Sequence, residues 1–124
     1  MKSFTNIEQS KKLAKILPLE SADTLYCVDF DGDVLFIAPK QYSGSFRHQP
    51  ELIIPCWSLA ALLGVLPSVI KRNGKRMFLT LEKAGAYNLY YKSHDRLDEL
   101  WETKEELIDA CVVMIEKLHE QKLL

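Results

Sequence analysis

Apolar positions along this chain follow two rhythms, one helical and one alternating. Ile7, Leu13, Ile16 and Leu17 recur at roughly helical spacing behind Thr5-x-x-Glu8, a capping box, and Pro18 closes the run. The pattern predicts a helix over residues 6–17. Residues 24–30, TLYCVDF, and 33–38, DVLFIA, are β-branched and aromatic, and Asp31-Gly32 between them is a preferred pair for a tight hairpin turn. The polar stretch 39–50, PKQYSGSFRHQP, reads as a surface loop.

The next segment, IIPCWSLAALLGVLP, predicts a helix over residues 56–66, with Pro55 suited to its first turn and Pro67 ending it. It is apolar nearly all round. It is therefore expected to be the most buried element, or to meet a partner chain along half its surface. Residues 69–72 and 75–82 flank Asn73-Gly74, a strong hairpin signal. Met77, Leu79 and Leu81 alternate there with Phe78, Thr80 and Glu82. Ala84-Gly85 makes another turn before a strand at 87–92. Residues 95–102 fit a short strand and a helical turn equally. Thr103-x-x-Glu106 is a second capping box, opening a helix over 104–121 with Leu107, Ile108, Cys111, Ile115 and Leu118 on one face.

Strands joined by such short turns must pair antiparallel. The expected fold is a single α+β domain, residues 1–124. It is read as one antiparallel sheet of hairpins and meander, about five strands, with three helices packed on one face.

Composition adds few constraints. The 124 residues are 48% hydrophobic and 27% charged, the balance of a globular protein, and too few for two ordinary domains. No apolar run is long enough to span a bilayer, and MKSFTNIEQSKK lacks the apolar region of a secretory signal. Cys27, Cys56 and Cys111 are odd in number and flanked by apolar residues, which points to reduced, buried thiols and a cytoplasmic location. A net charge of -1 argues against general nucleic-acid or membrane binding. The charge is unevenly placed, however. Residues 69–92 hold six Lys or Arg against one Glu, and residues 95–120 hold nine acids against three cations. Such segregation suits two segments that attract each other in the fold.

The stretch VDFDGDVL comes close to the nucleophile motif of haloacid-dehalogenase-like phosphatases. There Asp29 would attack phosphorus, Asp31 would handle the leaving-group proton and Mg²⁺ would offset the charge. Asp33 stands where that motif holds Thr or Val, however. No later apolar strand ends in an acidic pair, and Glu105-Glu106 falls inside a helix. The hairpin accounts for both flanking strands and for Gly32, so a hairpin is the expected structure, with the phosphatase as the weakest functional reading. A cation held at the turn by Asp29, Asp31 and Asp33 is the related minor reading.

Two further candidates remain. Lys71, Arg72, Lys75 and Arg76 gather four cations at one hairpin tip, foremost a solvated turn that discourages edge pairing, and as the alternative a candidate contact for nucleic acid or another anion. Trp57, Phe78 and Tyr90 form a candidate interaction surface. His48, His94 and His119 share no ligand spacing with one another or with Cys, Ser58 reads as a cap, and Cys56 reads as core. No catalytic residue, metal site or cofactor is assigned. A homodimer is expected through part of 56–66 or the Phe78/Tyr90 face.

IEQSKKLAKILPLESADTLY, IIPCWSLAALLGVLP and WETKEELIDACVVMIEKL together resemble a family of small uncharacterised proteins of gut anaerobic bacteria and their prophages or mobile elements. The Pro-x-Trp-Ser-Leu segment is the most specific part. The resemblance implies a short cytoplasmic protein of mobile-element origin and carries over no catalytic residue. The expected function is a protein-interaction or regulatory module rather than an enzyme. The alternative is nucleic-acid or anion binding at the 71–76 tip.

Overall fold

Asp29 organises the first hairpin. In the computed structural model, which describes residues 2–46 and 48–124, its Oδ1 accepts the backbone N–H of Asp31 and of Asp33, each at 2.9 Å. Gly32 follows with φ 88°, a backbone region that a Cβ disfavours. The loop joins β1 (Thr24–Val28) to β2 (Val34–Pro39), which pair antiparallel. The aspartates thus belong to a hairpin, as expected, though in a wider loop than a two-residue turn.

The chain forms two compact units, Ser3–Ala61 and Leu62–Leu124 together with Lys2. In the first, β3 (Ile53–Cys56) pairs antiparallel with β1, so the sheet order is β2-β1-β3. Helix α1 (Ile7–Ala14) packs on β3. Its capping box is one residue later than expected: Asn6 Oδ1 accepts from Gln9 N–H, and Gln9 Oε1 accepts from Asn6 N–H. Thr5 is instead buried. Its Oγ1 contacts Ser10 Oγ at 2.7 Å and accepts the Trp57 N–H at 3.1 Å. That second task explains why Thr5 cannot cap the helix. Leu25, Cys27 and Ala38 make a small cluster closed by Phe46 and Ile53.

In the second unit, β4 (Val69–Arg72), β5 (Lys75–Ala84), β6 (Ala86–Ser93) and β7 (Glu99–Lys104) form an antiparallel meander in chain order. Asn73 (φ 53°) and Gly74 (φ 76°) supply the two positive φ values of the β4–β5 turn. Helix α3 (Leu107–Glu120) packs on β6 and β7 and buries Ile108, Cys111, Met114 and Ile115 among others. Lys2 is tied to its start: the backbone N–H donates to Glu106 and Nζ pairs with Asp109 at 2.7 Å. No helix among the described residues is long and apolar enough to cross a membrane.

The α+β class with antiparallel strands stands; the single sheet of about five strands with three helices is corrected. The described residues form two sheets, of three and four strands, with additional short 3-10 segments at Leu19–Ser21, Lys40–Phe46 and Pro50–Leu52. The two extra strands account for the change. Ile53–Cys56 is a strand because β1 offers it a hydrogen-bonding edge, so Pro55 lies in a strand and not in a first helical turn. Helix α2 shrinks to Leu59–Val65, with Ser58 Oγ accepting the Ala61 N–H near its start. Only Leu62 of α2 is buried, so α3, not α2, is the most buried helix. The ambiguous 95–102 segment supplies β7. Its residue Thr103 therefore faces across the sheet and caps nothing, and Glu106 begins α3 without a side-chain cap.

Candidate functional site

The meander has two unlike faces because side chains alternate along each strand. Ile70, Met77, Leu89, Tyr91 and Leu100 are buried on the side that carries α3. On that side Lys117 Nζ meets Glu102 at 2.6 Å, and the Tyr91 hydroxyl donates to Pro67 C=O at 2.6 Å. Burial raises the Tyr91 phenol well above its ordinary range and pushes the Cys111 thiol up to about 12, so both stay protonated.

The opposite, open face carries Val69, Phe78, Tyr90, Lys92 and Trp101. Register puts Val69 beside Phe78, Phe78 beside Lys92, and Tyr90 beside Trp101. The Tyr90 and Trp101 rings stack, centroids 4.4 Å apart and planes 4° from parallel. The indole is fixed by its polar edge: Nε1–H donates to Thr103 Oγ1 at 2.8 Å, and that hydroxyl donates to Asn88 Oδ1 at 2.7 Å. Lys92 Nζ lies 5.5 Å from the Tyr90 centroid and 5.7 Å from that of Trp101, close enough for cation–π attraction, and pairs with Glu99 at 3.6 Å. Phe78 leans on His94, centroids 4.9 Å apart and tilted 58°. Trp101 remains 39% exposed and Val69 44%, so this face ends in apolar surface that is pre-shaped and still wet.

The basic tip divides in two. Arg72 is held by Asp98, with Nε 3.4 Å from Oδ2 and Nη2 on Oδ1, and Lys75 pairs with Asp95 at 2.9 Å. The Asp98 carboxyl is held below the usual range chiefly by the Arg72 hydrogen bond. That of Asp95 is lowered by Ser93 Oγ–H first, then the Leu97 N–H and Lys75. These pairs are the attraction between the basic and acidic segments that the sequence suggested. Lys71 and Arg76 face each other across β4 and β5 on the open face, both exposed. Neither makes an ion pair among the described residues. A surface recess of about 300 Å³ beside them is lined by Lys75, Arg76, Ser93, His94 and Asp95.

The expected surface of Trp57, Phe78 and Tyr90 is therefore corrected. Phe78 and Tyr90 share the open face, but Trp57 is 0% exposed and its Nε1–H donates to Ser21 Oγ at 3.0 Å. The backbone N–H of Trp57 goes to Thr5 and its C=O accepts from Thr5, which locks this residue into the first unit's interior. Trp101 takes its place on the surface. Its signal in the sequence was the isolated tryptophan of an ambiguous segment. Without a register, nothing there set it opposite Tyr90.

At the aspartate loop, Asp29 serves as a backbone acceptor. The strands on either side are antiparallel, whereas the phosphatase motif belongs to a parallel α/β sheet. Among the described residues no group of three His, Cys, Asp or Glu side chains is placed to hold a metal ion. Comparison with protein-family models, curated proteins and solved structures finds no match.

Proposed function

We propose that this protein is an interaction module whose open sheet face binds a polypeptide with an apolar or aromatic segment flanked by acidic side chains. The stacked Tyr90–Trp101 pair carries the reading. Two large rings are held on a rigid sheet by a hydrogen-bond chain, so little side-chain entropy is lost when a partner covers them. Lys71 and Arg76, exposed at the end of the same face, give the acidic flanks their complement.

Nucleic acid is the weaker occupant. The face also carries Glu82 and Glu99, and Glu82 lies 3.3 Å from the Tyr90 hydroxyl, so the charge along a phosphate track would be nearly balanced. Arg72 and Lys75 are already engaged, which halves the cations that the tip could offer.

Selection from a displayed random-peptide library tests the proposal. Enriched peptides should carry Trp, Phe or Leu between Asp or Glu residues. Tyr90→Ser with Trp101→Ser should abolish their binding, and Lys71→Ser with Arg76→Ser should weaken it in low salt. No enrichment, or enrichment indifferent to Tyr90 and Trp101, would defeat the reading. So would tight binding of a single-stranded oligonucleotide that disappears with Lys71 and Arg76.

A further inference from the structure

Strand β2 presents an uncommon edge. It is the outer strand of the β2-β1-β3 sheet, and four consecutive apolar residues, Val34, Leu35, Phe36 and Ile37, are each between 43% and 63% exposed. Phe30, in the loop before it, is 76% exposed. Edge strands of stable monomers usually carry charge, whereas Val34–Pro39 has no ionisable side chain.

The backbone phase of this edge can be read. Lys40 N–H donates to Asp23 C=O at 3.1 Å, immediately beyond the Thr24↔Pro39 pair. Alternation along an antiparallel ladder then turns the backbone groups of Ala38 and Phe36 toward β1, and those of Ile37 and Pro39 outward. Pro39 thus sits where its missing N–H costs no ladder bond, and Ile37 aims both an N–H and a C=O at the outside. By the same alternation, β1 turns Thr24 and Tyr26 toward β3. Pro55 on β3 then faces outward, and that edge lacks a donor at its centre. The sheet has one edge suited to further pairing.

We infer that β2 pairs with β2 of a second copy of this chain, antiparallel about a two-fold axis at Ile37, joining two three-stranded sheets into one of six. In that arrangement Ile37 of each copy donates to and accepts from Ile37 of the other, and Phe36 lies beside Ala38 of the second copy. Charge selects the direction. Asp29, Asp31 and Asp33 precede the strand and Lys40 follows it. Antiparallel pairing brings the acidic end of one copy to the Lys40 end of the other, and parallel pairing would set aspartates against aspartates. The register shift at Cys27/Val28 makes Leu35 an extra residue on β2, and Pro39 ends donation at the other end, so the paired stretch is short. An isologous contact that uses the same β2 edge on both copies closes as a dimer and does not propagate as a filament.

This contact lies on the first unit and is independent of the Tyr90–Trp101 reading. Sedimentation of the full chain from about 1 to 100 μM tests it. The parent should show a monomer–dimer equilibrium. Ile37→Lys, at an exposed position, should weaken dimerisation at least about tenfold while circular dichroism stays that of the parent, as does melting at concentrations where both are monomeric. Lys40→Asp alone should weaken it, and adding Asp31→Lys and Asp33→Lys to that variant should restore it. Ile37→Cys should form an intermolecular disulfide on mild oxidation, since opposed residues of a bonded pair lie about 5.5 Å apart. A parent monomeric throughout the range overturns the inference. So does a dimer indifferent to Ile37→Lys and to charge reversal, or a monomer whose β2 edge takes up only an unrelated extended peptide.

Discussion

Arg72 on β4 holds Asp98 with two nitrogens, Nη2 on Oδ1 and Nε on Oδ2, and both side chains are largely covered. Asp95 stands nearby under Ser93 and Lys75. Both carboxyls titrate below their ordinary range in the folded chain. A depressed folded value means that the unfolded chain takes up protons first as pH falls. The stability these groups contribute is thus complete above the unfolded value, about 3.9, and is lost as pH drops through the folded values. Asp98→Asn and Asp95→Asn should each lower the urea midpoint at neutral pH, and the gap to the parent should close below about pH 4. A gap that persists unchanged in stronger acid would contradict this linkage.

The Asp29 loop gives a second prediction. Removing the acceptor of two backbone N–H groups, Asp29→Ala, should destabilise by on the order of 1 kcal/mol. Asp29→Asn keeps an oxygen acceptor and should lose less. Gly32→Val forces a β-branched residue into φ 88° and should also lose about 1 kcal/mol or more. Equilibrium unfolding measures all three. Hydrolysis of a phosphate ester that requires Mg²⁺ and disappears with Asp29→Asn would instead return this loop to the phosphatase reading.

The Asp31-Gly32 and Asn73-Gly74 turns were legible because their chemistry is local. Gly32 in Asp-Gly, and both residues of Asn73-Gly74, are positive-φ positions that the dipeptides name without reference to the rest of the chain. The alternation that put Phe78 and Tyr90 opposite Met77 and Leu89 was legible for the same reason. What could not be read depends on partners distant in sequence. Ile53–Cys56 is a strand because β1 pairs with it, Thr24 lying 32 residues before its partner Cys56. Its apolar continuity with α2 otherwise suits a helix. The two capping boxes failed for a similar reason. Thr5 is taken by Trp57 and Ser10, and Thr103 by Trp101 and Asn88, so local motifs lost to tertiary hydrogen bonds. The same blindness hid the Tyr90–Trp101 pair, which needs the register of β7 before it exists.

The thiols supply a third prediction. Cys27, Cys56 and Cys111 are free and buried, and burial is the first cause raising each of them. A thiol reagent at neutral pH should label none of them quickly in the folded chain and all three after denaturation. Cys111, at about 12 when folded, also contributes to alkaline instability. Its raised value means that the contribution to stability is complete below the unfolded thiol value, about 8.5, and is lost as pH rises toward the folded one. Cys111→Ala should therefore flatten the fall in stability above about pH 9. Rapid labelling of Cys111 at neutral pH would show that the α3 face opens far more readily than its packing suggests.

The stacked rings of the open face can be tested without a partner. Tyr90 and Trp101 contact each other on a surface where neither is enclosed, so truncating either one should lose less than a core substitution does. Tyr90→Ala, Trp101→Ala and the double variant should show a coupling of about 1 kcal/mol, because an offset aromatic contact persists only when both rings are present. Thr103→Val removes the acceptor of the indole N–H and should erode part of that coupling. Fluorescence separates the two tryptophans. Trp101, 39% exposed, should be quenched by acrylamide, and Trp57, at 0%, should not, so Trp101→Phe should leave emission that is blue-shifted and nearly insensitive to quencher. A zero coupling energy together with two equally quenched tryptophans would mean that the pair is loose in solution. The open face would then lack the rigidity on which the proposed binding rests.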